Sequence, residues 1–479
     1  MFFSDHAVLQ RDQPIRVWGW AAPGEKVTVH FHDQTREYVA DSIGAWQISL
    51  LPEKAGGPYV LIVSGSETEK PAERSDILVG DVWVASGQSN MQFPLKGFPP
   101  EAMLNNSAKE IANANHPRIR LLSVIRAVSI WPLNDTTSSW TECTPETAQN
   151  FSAVAYFFGR EISDRENVPV GLIDSTWGGT PAQSWVSLEG LGFADLSAVL
   201  RDGGAEMQGQ ALADQIRINY TAQDAVLKAE GRPVPMRPRI TTDYQGSHAP
   251  AVLFNGMIAP LTRYTIKGVI WYQGESDQTP QRALNYGRIF QALITDWRHQ
   301  WAEGDFPFLF VQISSFGSHD DMWGQVRDAQ RRALSLRNTE MAVSLDVGNP
   351  ASIHPADKQT VGMRLALTAR GGVYGERIEY ASPEFLETTI EGASIRVWLT
   401  HAEGLTARGK ALGGFELSSD GHNFVSAEAK IENIDVESTI VLTAPGITYP
   451  RYARYGWGDV VSDYLYNNAG LPLGTFSSQ

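Results

Sequence analysis

A single cysteine in 479 residues, Cys143, excludes an intramolecular disulfide and any thiolate cluster for zinc or iron–sulfur. It reads as a small buried side chain. Long apolar runs are also missing, and none approaches the ~18 to 20 residues of a membrane-spanning helix. Basic residues are in deficit, 39 Lys and Arg against 54 Asp and Glu, for a formal charge of −15. Such an acidic surface repels phosphate backbones and anionic headgroups, which argues against nucleic-acid or membrane binding as the main task. The opening Met1-Phe2-Phe3-Ser4-Asp5-His6 has neither a basic nor an apolar leader segment. The expectation is a cytoplasmic protein as the sequence stands, or a secreted or periplasmic one if a signal has been removed. There is no internal repeat, and no His/Asp/Glu spacing suggests a metal site.

What is present is ordinary globular material, 42% hydrophobic and 19% charged, enough for two to four domains. Residues 1–80 hold short alternating runs such as Ile15–Trp20 and Lys26–Phe31, separated by turns such as Pro23-Gly24. Period-two alternation predicts an antiparallel β-domain there. From Asp81 to about residue 382 the pattern changes to continuous apolar strands, Val82–Ala85, Pro169–Ile173, Lys267–Tyr272, Phe308–Ile313 and Met341–Leu345, alternating with helices. Strands of that kind are buried on both faces, so an α/β domain with a parallel sheet is expected. One helix is predicted from Ser152 as N-cap. A second is predicted across Ala283–Trp301, where Tyr286, Ile289, Phe290, Leu293, Ile294 and Trp297 make one apolar stripe. A polar stretch around 190–250, ending in Pro233–Pro238, looks like an insertion or lid over the sheet edge. Residues 383–479 return to β-pattern, with Ser394–Leu399 and an Asp420-Gly421 turn.

Ligands of open α/β sheets sit at the carboxyl ends of the strands. Four polar segments fall there: Ser86-Gly87-Gln88-Ser89-Asn90-Met91, Asp174-Ser175-Thr176-Trp177-Gly178-Gly179-Thr180-Pro181, Trp271-Tyr272-Gln273-Gly274-Glu275-Ser276-Asp277, and Asp346 through Ile353-His354-Pro355. The last places His354 just ahead of a helix expected to open at Pro355. Together they offer a hydroxyl, an imidazole, glycine backbone amides, a side-chain amide and carboxylates at one rim.

In that order, Gly87-Gln88-Ser89-Asn90-Met91, Trp177-Gly178-Gly179-Thr180, Trp271-Tyr272-Gln273-Gly274-Glu275 and Ile353-His354-Pro355 resemble the motif blocks of the SGNH hydrolases, in the carbohydrate-esterase branch that includes sialate O-acetylesterases and acetylxylan esterases. The opening Phe3–Arg11 and the closing Leu465–Pro472 resemble the ends of the longer sialate O-acetylesterase-like proteins. The resemblance implies a three-layer, flavodoxin-like core with β-rich flanks and a serine esterase acting on acetylated carbohydrates without a cofactor. It implies Ser89 as nucleophile and His354 as its base. The implied oxyanion donors are the Ser89 N–H, a glycine N–H from Gly178 or, preferably, Gly179, and the Gln273 side chain.

One departure bears on mechanism. Many members carry Asp three residues before the histidine, and here that position is Ala351. Either Glu275 or a backbone carbonyl near Ala351 is then left to orient His354, with Asp346 and Asp277 as weaker choices. A neutral His354 acting as base predicts that kcat/KM falls on acidification through ~6 to 7. Trp177, Trp185, Trp271 and Trp323 are candidates for sugar stacking or for the core, and Arg327 and Gln330 for the cleft or a helix face. Two other readings stay open, a catalytically weak carbohydrate-binding protein and an esterase for non-sugar esters.

Overall fold

The apolar runs form the centre of the protein in a computed structural model that describes residues 2–479, apart from 195, 197–198, 200–220, 230, 235–245, 318–321 and 435–436. The five of them, with one further strand, β8, make a parallel array: β7 (Ala72–Gly87), β8 (His116–Ser123), β10 (Val170–Thr176), β11 (Gly268–Tyr272), β12 (Phe308–Gln312) and β13 (Thr339–Val343). A short β9 (Thr141–Cys143) closes one edge antiparallel, and the order is β13-β12-β11-β7-β10-β8-β9. β10 and β11 flank β7 on opposite sides, both parallel to it. The chain therefore crosses over β7 between them, and the carboxyl end of β7 is a topological switch point, where such sheets open a crevice.

The amino-terminal β-region contains β1 (Val8–Gln10), β2 (Ile15–Trp20), β3 (Lys26–Phe31), β4 (Gln34–Val39), β5 (Ala45–Leu50) and β6 (Gly56–Gly65). It is not set apart from the central sheet. The first half of β7 pairs with β1 and β6, and its second half with β10 and β11, so one strand runs straight through the position expected to separate two domains. Leu9, Val17, Val29 and Ile77 share a single hydrophobic core with Val84, Ile173 and Val311. The carboxy-terminal strands, from Glu384–Glu391 onward, build a separate core around Ile395, Val397, Leu417 and Phe476.

Helix α1 (Ser89–Gln92) follows β7 directly, and α2 (Ala153–Glu166) is capped by Ser152, whose hydroxyl accepts the Ala155 N–H at 3.1 Å. The same hydroxyl donates to the Met91 carbonyl at 2.6 Å, which pins α1 to the start of α2. Helix α3 (Pro280–Trp301) buries the predicted stripe of Tyr286, Ile289, Phe290, Leu293, Ile294 and Trp297 and packs with α4 (Trp323–Arg332). Helix α5 (Lys358–Thr368) packs with α2. It does not open at Pro355: Asp357 is the cap, its carboxylate accepting the Thr360 N–H at 2.9 Å, because a residue with a side-chain acceptor starts a helix better than the turn before it. Most of the expected insertion lies outside the described residues. Among the described residues no helix is long and apolar enough to cross a membrane.

Candidate active site

Ser89 stands at the first turn after β7, and the geometry of that turn depends on Gly87. Its φ of +132° suits glycine alone, and a Cβ there would collide with the Tyr272 carbonyl oxygen. Two glutamines brace the turn. Gln88 accepts the Ser276 N–H through Oε1 at 3.0 Å, and Gln92 accepts the Gly178 N–H at 2.8 Å. The Ser89 hydroxyl is left half-buried, with no protein partner among the described residues.

The glycine block after β10 comes close to it. A Cβ on Gly178 would lie 3.1 Å from the Ser89 Cβ, so a side chain on this loop would crowd the serine. The Gly178 N–H is already taken by Gln92. The Gly179 N–H, at a residue with φ +78°, has no acceptor among the described residues, and the same holds for the Ser89 N–H. Behind Gly179 lies a residue that sequence reasoning missed: the His248 ring sits 2.7 Å from the Gly179 carbonyl, and burial holds its pKa down at about 4. A neutral His248 protonated on Nε2 donates to that carbonyl and fixes the loop.

Gln273 is placed differently from the expectation. Its side chain is fully buried, and both amide hydrogens are occupied, by the Thr180 carbonyl at 3.2 Å and the Asp277 carboxylate. Asp277 also accepts the Ala182 N–H, and burial raises its pKa. The pair ties the loop after β11 to the glycine block. Trp185, Trp271 and Trp323 are core residues, whereas Trp177 is partly exposed. Arg327 and Gln330 are buried braces: Arg327 donates to the carbonyls of Ile313, Ser314, Gly456, Gly458 and Asp459, and Gln330 donates to the Gln273 carbonyl.

His354 comes to the serine through the residues beside each of them. Asn90 Nδ2 donates to the Ile353 carbonyl at 2.9 Å and to Glu275 Oε1 at 2.5 Å, while Asn90 Oδ1 accepts from Lys358 Nζ at 2.5 Å. Asn90, Glu275 and Lys358 are all buried. One amide thus joins the serine turn, the loop after β11 and the histidine segment. The imidazole lies against Phe98, rings 5.4 Å apart and steeply inclined, and against Phe93 at 6.3 Å. Neither ring nitrogen is hydrogen-bonded by any described residue. Glu275 spends one oxygen on Asn90 and has the other buried without a hydrogen bond. Asp346 is held bidentately by Arg364.

The electrostatics follow from burial. Lys358 sits 4.9 Å from the Phe93 ring centre and 5.7 Å from that of Tyr272, and desolvation lowers its pKa to about 7 against the opposing charge of Glu275. Burial raises Glu275. His354 is pushed down to about 4, first by burial and then by the Lys358 charge, so the imidazole is neutral across the physiological range. Lys358 carried no signal in the sequence, although it lies four residues beyond the histidine, and Asn90 stood in the serine block without a role of its own. Elsewhere, His6, Asp76 and Glu142 approach one another, but Arg120 supplies the cation between them, 2.8 Å from Asp76 and 3.7 Å from Glu142.

A hydroxyl, a neutral imidazole and two unclaimed N–H groups at one sheet edge suit acyl transfer, and comparison with known proteins points the same way. The family model described as carbohydrate esterase, sialic acid-specific acetylesterase matches residues 249–369, which include Gln273, Glu275, His354 and Lys358. The chain is 33% identical over 429 residues to a sialate O-acetylesterase of Pongo abelii, covering 81% of this chain and 73% of that protein. It is 30% identical to the Rattus norvegicus sialate O-acetylesterase, covering 100% of this chain and 93% of that one. Among solved structures, a carbohydrate acetylesterase from Xanthomonas citri matches with a TM-score of 0.83 and 33% identity, over 100% of this chain and 98% of that chain. With mixed α/β architecture, β-rich flanks and the motif residues gathered at one rim, the chain belongs to the sialate O-acetylesterase family of carbohydrate esterases.

Proposed function

We propose that the protein is a serine esterase that removes O-acetyl groups from carbohydrates through an acetyl-enzyme, on an SGNH-type three-layer core. Ser89 Oγ attacks the ester carbonyl while His354 takes its proton. The tetrahedral oxyanion is met by the N–H groups of Ser89 and Gly179, fixed in place before reaction. As the C–O bond to the sugar breaks, His354 returns the proton to the departing alkoxide. Water, deprotonated by His354, then attacks the acetyl-serine and regenerates the enzyme. In this reading Ser89 and His354 work as a dyad. Glu275 and Lys358 position the serine turn through Asn90, and Gln273 shapes the glycine loop from behind.

The observation that carries the proposal is the hydrogen bond from Asn90 to Ile353, which holds the segment of His354 against the turn of Ser89. A retained hydroxyl, neutral base and free amides favour catalysis over the sugar-binding reading. The test is acetate release from p-nitrophenyl acetate and from acetylated sialic acid and xylo-oligosaccharides, with octanoyl esters as the non-sugar control. Ser89→Ala is expected to lower kcat by ~10⁴ or more and to leave no acetyl adduct on the protein by mass spectrometry. Turnover by Ser89→Ala at a wild-type rate would end the reading.

A further inference from the structure

We infer that the amino-terminal β-region carries a second, non-catalytic binding site, which holds a neutral sugar ring against tryptophan. A cavity of about 340 Å³ opens there, walled by Phe3, Trp18, Trp20, Trp46, Leu61 and Val63. Its volume falls within the ~300 to 1,000 Å³ of small-molecule sites. The pairing of β2 with β5 sets Gly19 opposite Trp46, and a Cβ on Gly19 would lie 2.7 Å from the Trp46 ring. The glycine is therefore what lets that indole lie over β2. Trp18 packs edge-on against Phe3, with ring centres 4.8 Å apart and planes at 74°. Trp20, the last residue of β2, remains 51% exposed and offers an open aromatic surface at the same cavity.

The indole nitrogens select the ligand. Trp18 and Trp46 are only 6% and 7% exposed, and a tryptophan buried to that degree ordinarily donates its N–H. Trp83, Trp140, Trp185, Trp297, Trp301 and Trp323 all do so, to protein oxygens. The N–H groups of Trp18 and Trp46 have no acceptor among the described residues, yet they are not sealed from solvent as that of Trp271 is. Trp46 Nε1 lies 3.2 Å from where a Gly19 Cβ would stand, and Gly19 is itself part of the cavity wall. An acyl chain or apolar side chain filling this space would strip water from both donors and give them nothing in return. A sugar ring satisfies both demands, its C–H face against the aromatic surfaces and its hydroxyl oxygens accepting from the indoles. Charge favours a neutral ring: Arg74, at the wall, donates Nε to the Phe3 carbonyl at 2.8 Å and Nη1 to the Glu73 carbonyl at 2.7 Å, and the net charge of −15 repels anions. Ala72, in the cavity wall, begins β7, and Gly87, two residues before Ser89, ends it. The two sites thus stand at opposite ends of one strand, and the cavity takes a sugar unit other than the one presented to Ser89.

The experiment is isothermal titration of the full chain with unacetylated xylo-, cello- and galacto-oligosaccharides, which carry no ester to cleave. Wild type is expected to bind at least one series with a millimolar or tighter Kd, and p-nitrophenyl acetate turnover is expected to be the same with and without the bound sugar. Trp20→Ala, at an exposed position, should weaken binding about tenfold and leave turnover and melting temperature unchanged. Trp46→Phe keeps an aromatic ring but deletes the N–H, and should weaken binding about threefold or more. Failure of all three series to bind overturns the inference. Binding that neither variant weakens also overturns it, and so does binding that competes with p-nitrophenyl acetate, because the sugar then sits at Ser89. Octanoate bound in place of sugar, or a dimer in analytical ultracentrifugation that Trp20→Ala dissociates, would give the cavity to an apolar ligand or to a second copy of the chain, and either result overturns the sugar assignment. Ser89→Ala separates this inference from the esterase reading, since it abolishes turnover and is expected to bind the same oligosaccharides as wild type.

Discussion

The side-chain nitrogen of Asn90 lies 2.9 Å from the carbonyl oxygen of Ile353, so the residue after Ser89 holds the residue before His354. The histidine segment is located by an amide and a lysine reaching across the sheet edge, and the imidazole is confined by Phe93 and Phe98.

Replacing Asn90 should therefore cost both activity and stability. Asn90→Ala leaves Lys358 and Glu275 buried without their shared partner, and losing a hydrogen bond to a charged group costs ~1.5 to 3 kcal/mol. The expected outcome is a kcat for p-nitrophenyl acetate lowered by ~10² and a melting temperature lowered by several degrees. Ser89→Ala, which removes a hydroxyl with no protein partner, should leave the melting temperature unchanged.

The pH profile should report on Lys358. His354 must be neutral to accept a proton, and its pKa is held at about 4, so kcat/KM is expected to stay level above about pH 5 and to fall only as pH drops through about 4. This is well below the inflection expected of an ordinary imidazole. Lys358→Met removes the neighbouring positive charge and makes protonation of His354 easier, so the acid limb moves to higher pH. It stops short of the ordinary value because burial persists. An acid limb at the same pH in both proteins would show that the lysine charge does not reach the imidazole.

Much of this fold could be read from the chain, for reasons visible in particular residues. The runs Val82–Ala85 and Phe308–Ile313 are apolar on both faces and became central strands, and the stripe from Tyr286 to Trp297 became the buried face of α3. β8 was hidden, because His-Pro-Arg-Ile-Arg opens it with charge, and Arg120 is buried with Asp76 and Glu142 as its acidic partners. Alternation before Asp81 and continuous apolarity after it gave the appearance of a boundary inside β7. The change of pattern instead marks where one strand passes from a half-covered to a fully covered part of the sheet. The motif residues were legible as a set, but their roles depend on which hydrogen bonds are already spent. Spacing says nothing about Gln92 taking the Gly178 N–H or Asp277 taking the Gln273 amide.

That difference in spent and unspent donors separates the two glycines. Gly179→Ala puts a Cβ on a residue at φ +78°, which costs ~1 to 2 kcal/mol in backbone strain and turns the free N–H away from the oxyanion. With that donor misdirected, kcat should fall by ~10² to 10³ while KM changes little. Gly178→Ala should act mainly by crowding Ser89 and Gln92, whose atoms lie 3.1 and 3.0 Å from the new Cβ, and so raise KM as well. Steady-state kinetics on both variants distinguishes loss of a donor from loss of space.

Glu275→Gln decides between a dyad and a triad. A glutamine at this position still offers an oxygen to Asn90 Nδ2 but carries no charge, and the wild-type carboxylate makes no hydrogen bond to His354. If Glu275 only positions the serine turn, kcat should drop by less than ~10-fold, since one charge-assisted hydrogen bond becomes a neutral one. Were it the acid that orients and stabilises the imidazole, the loss should approach ~10⁴, as when the carboxylate of a working triad is replaced by its amide. Removing the Glu275 charge leaves Asp357 as the acid that favours protonated Lys358, so the lysine titrates below its wild-type value of about 7. A large fall in kcat would point to a direct catalytic role for Glu275, and a small fall to the positioning role argued above.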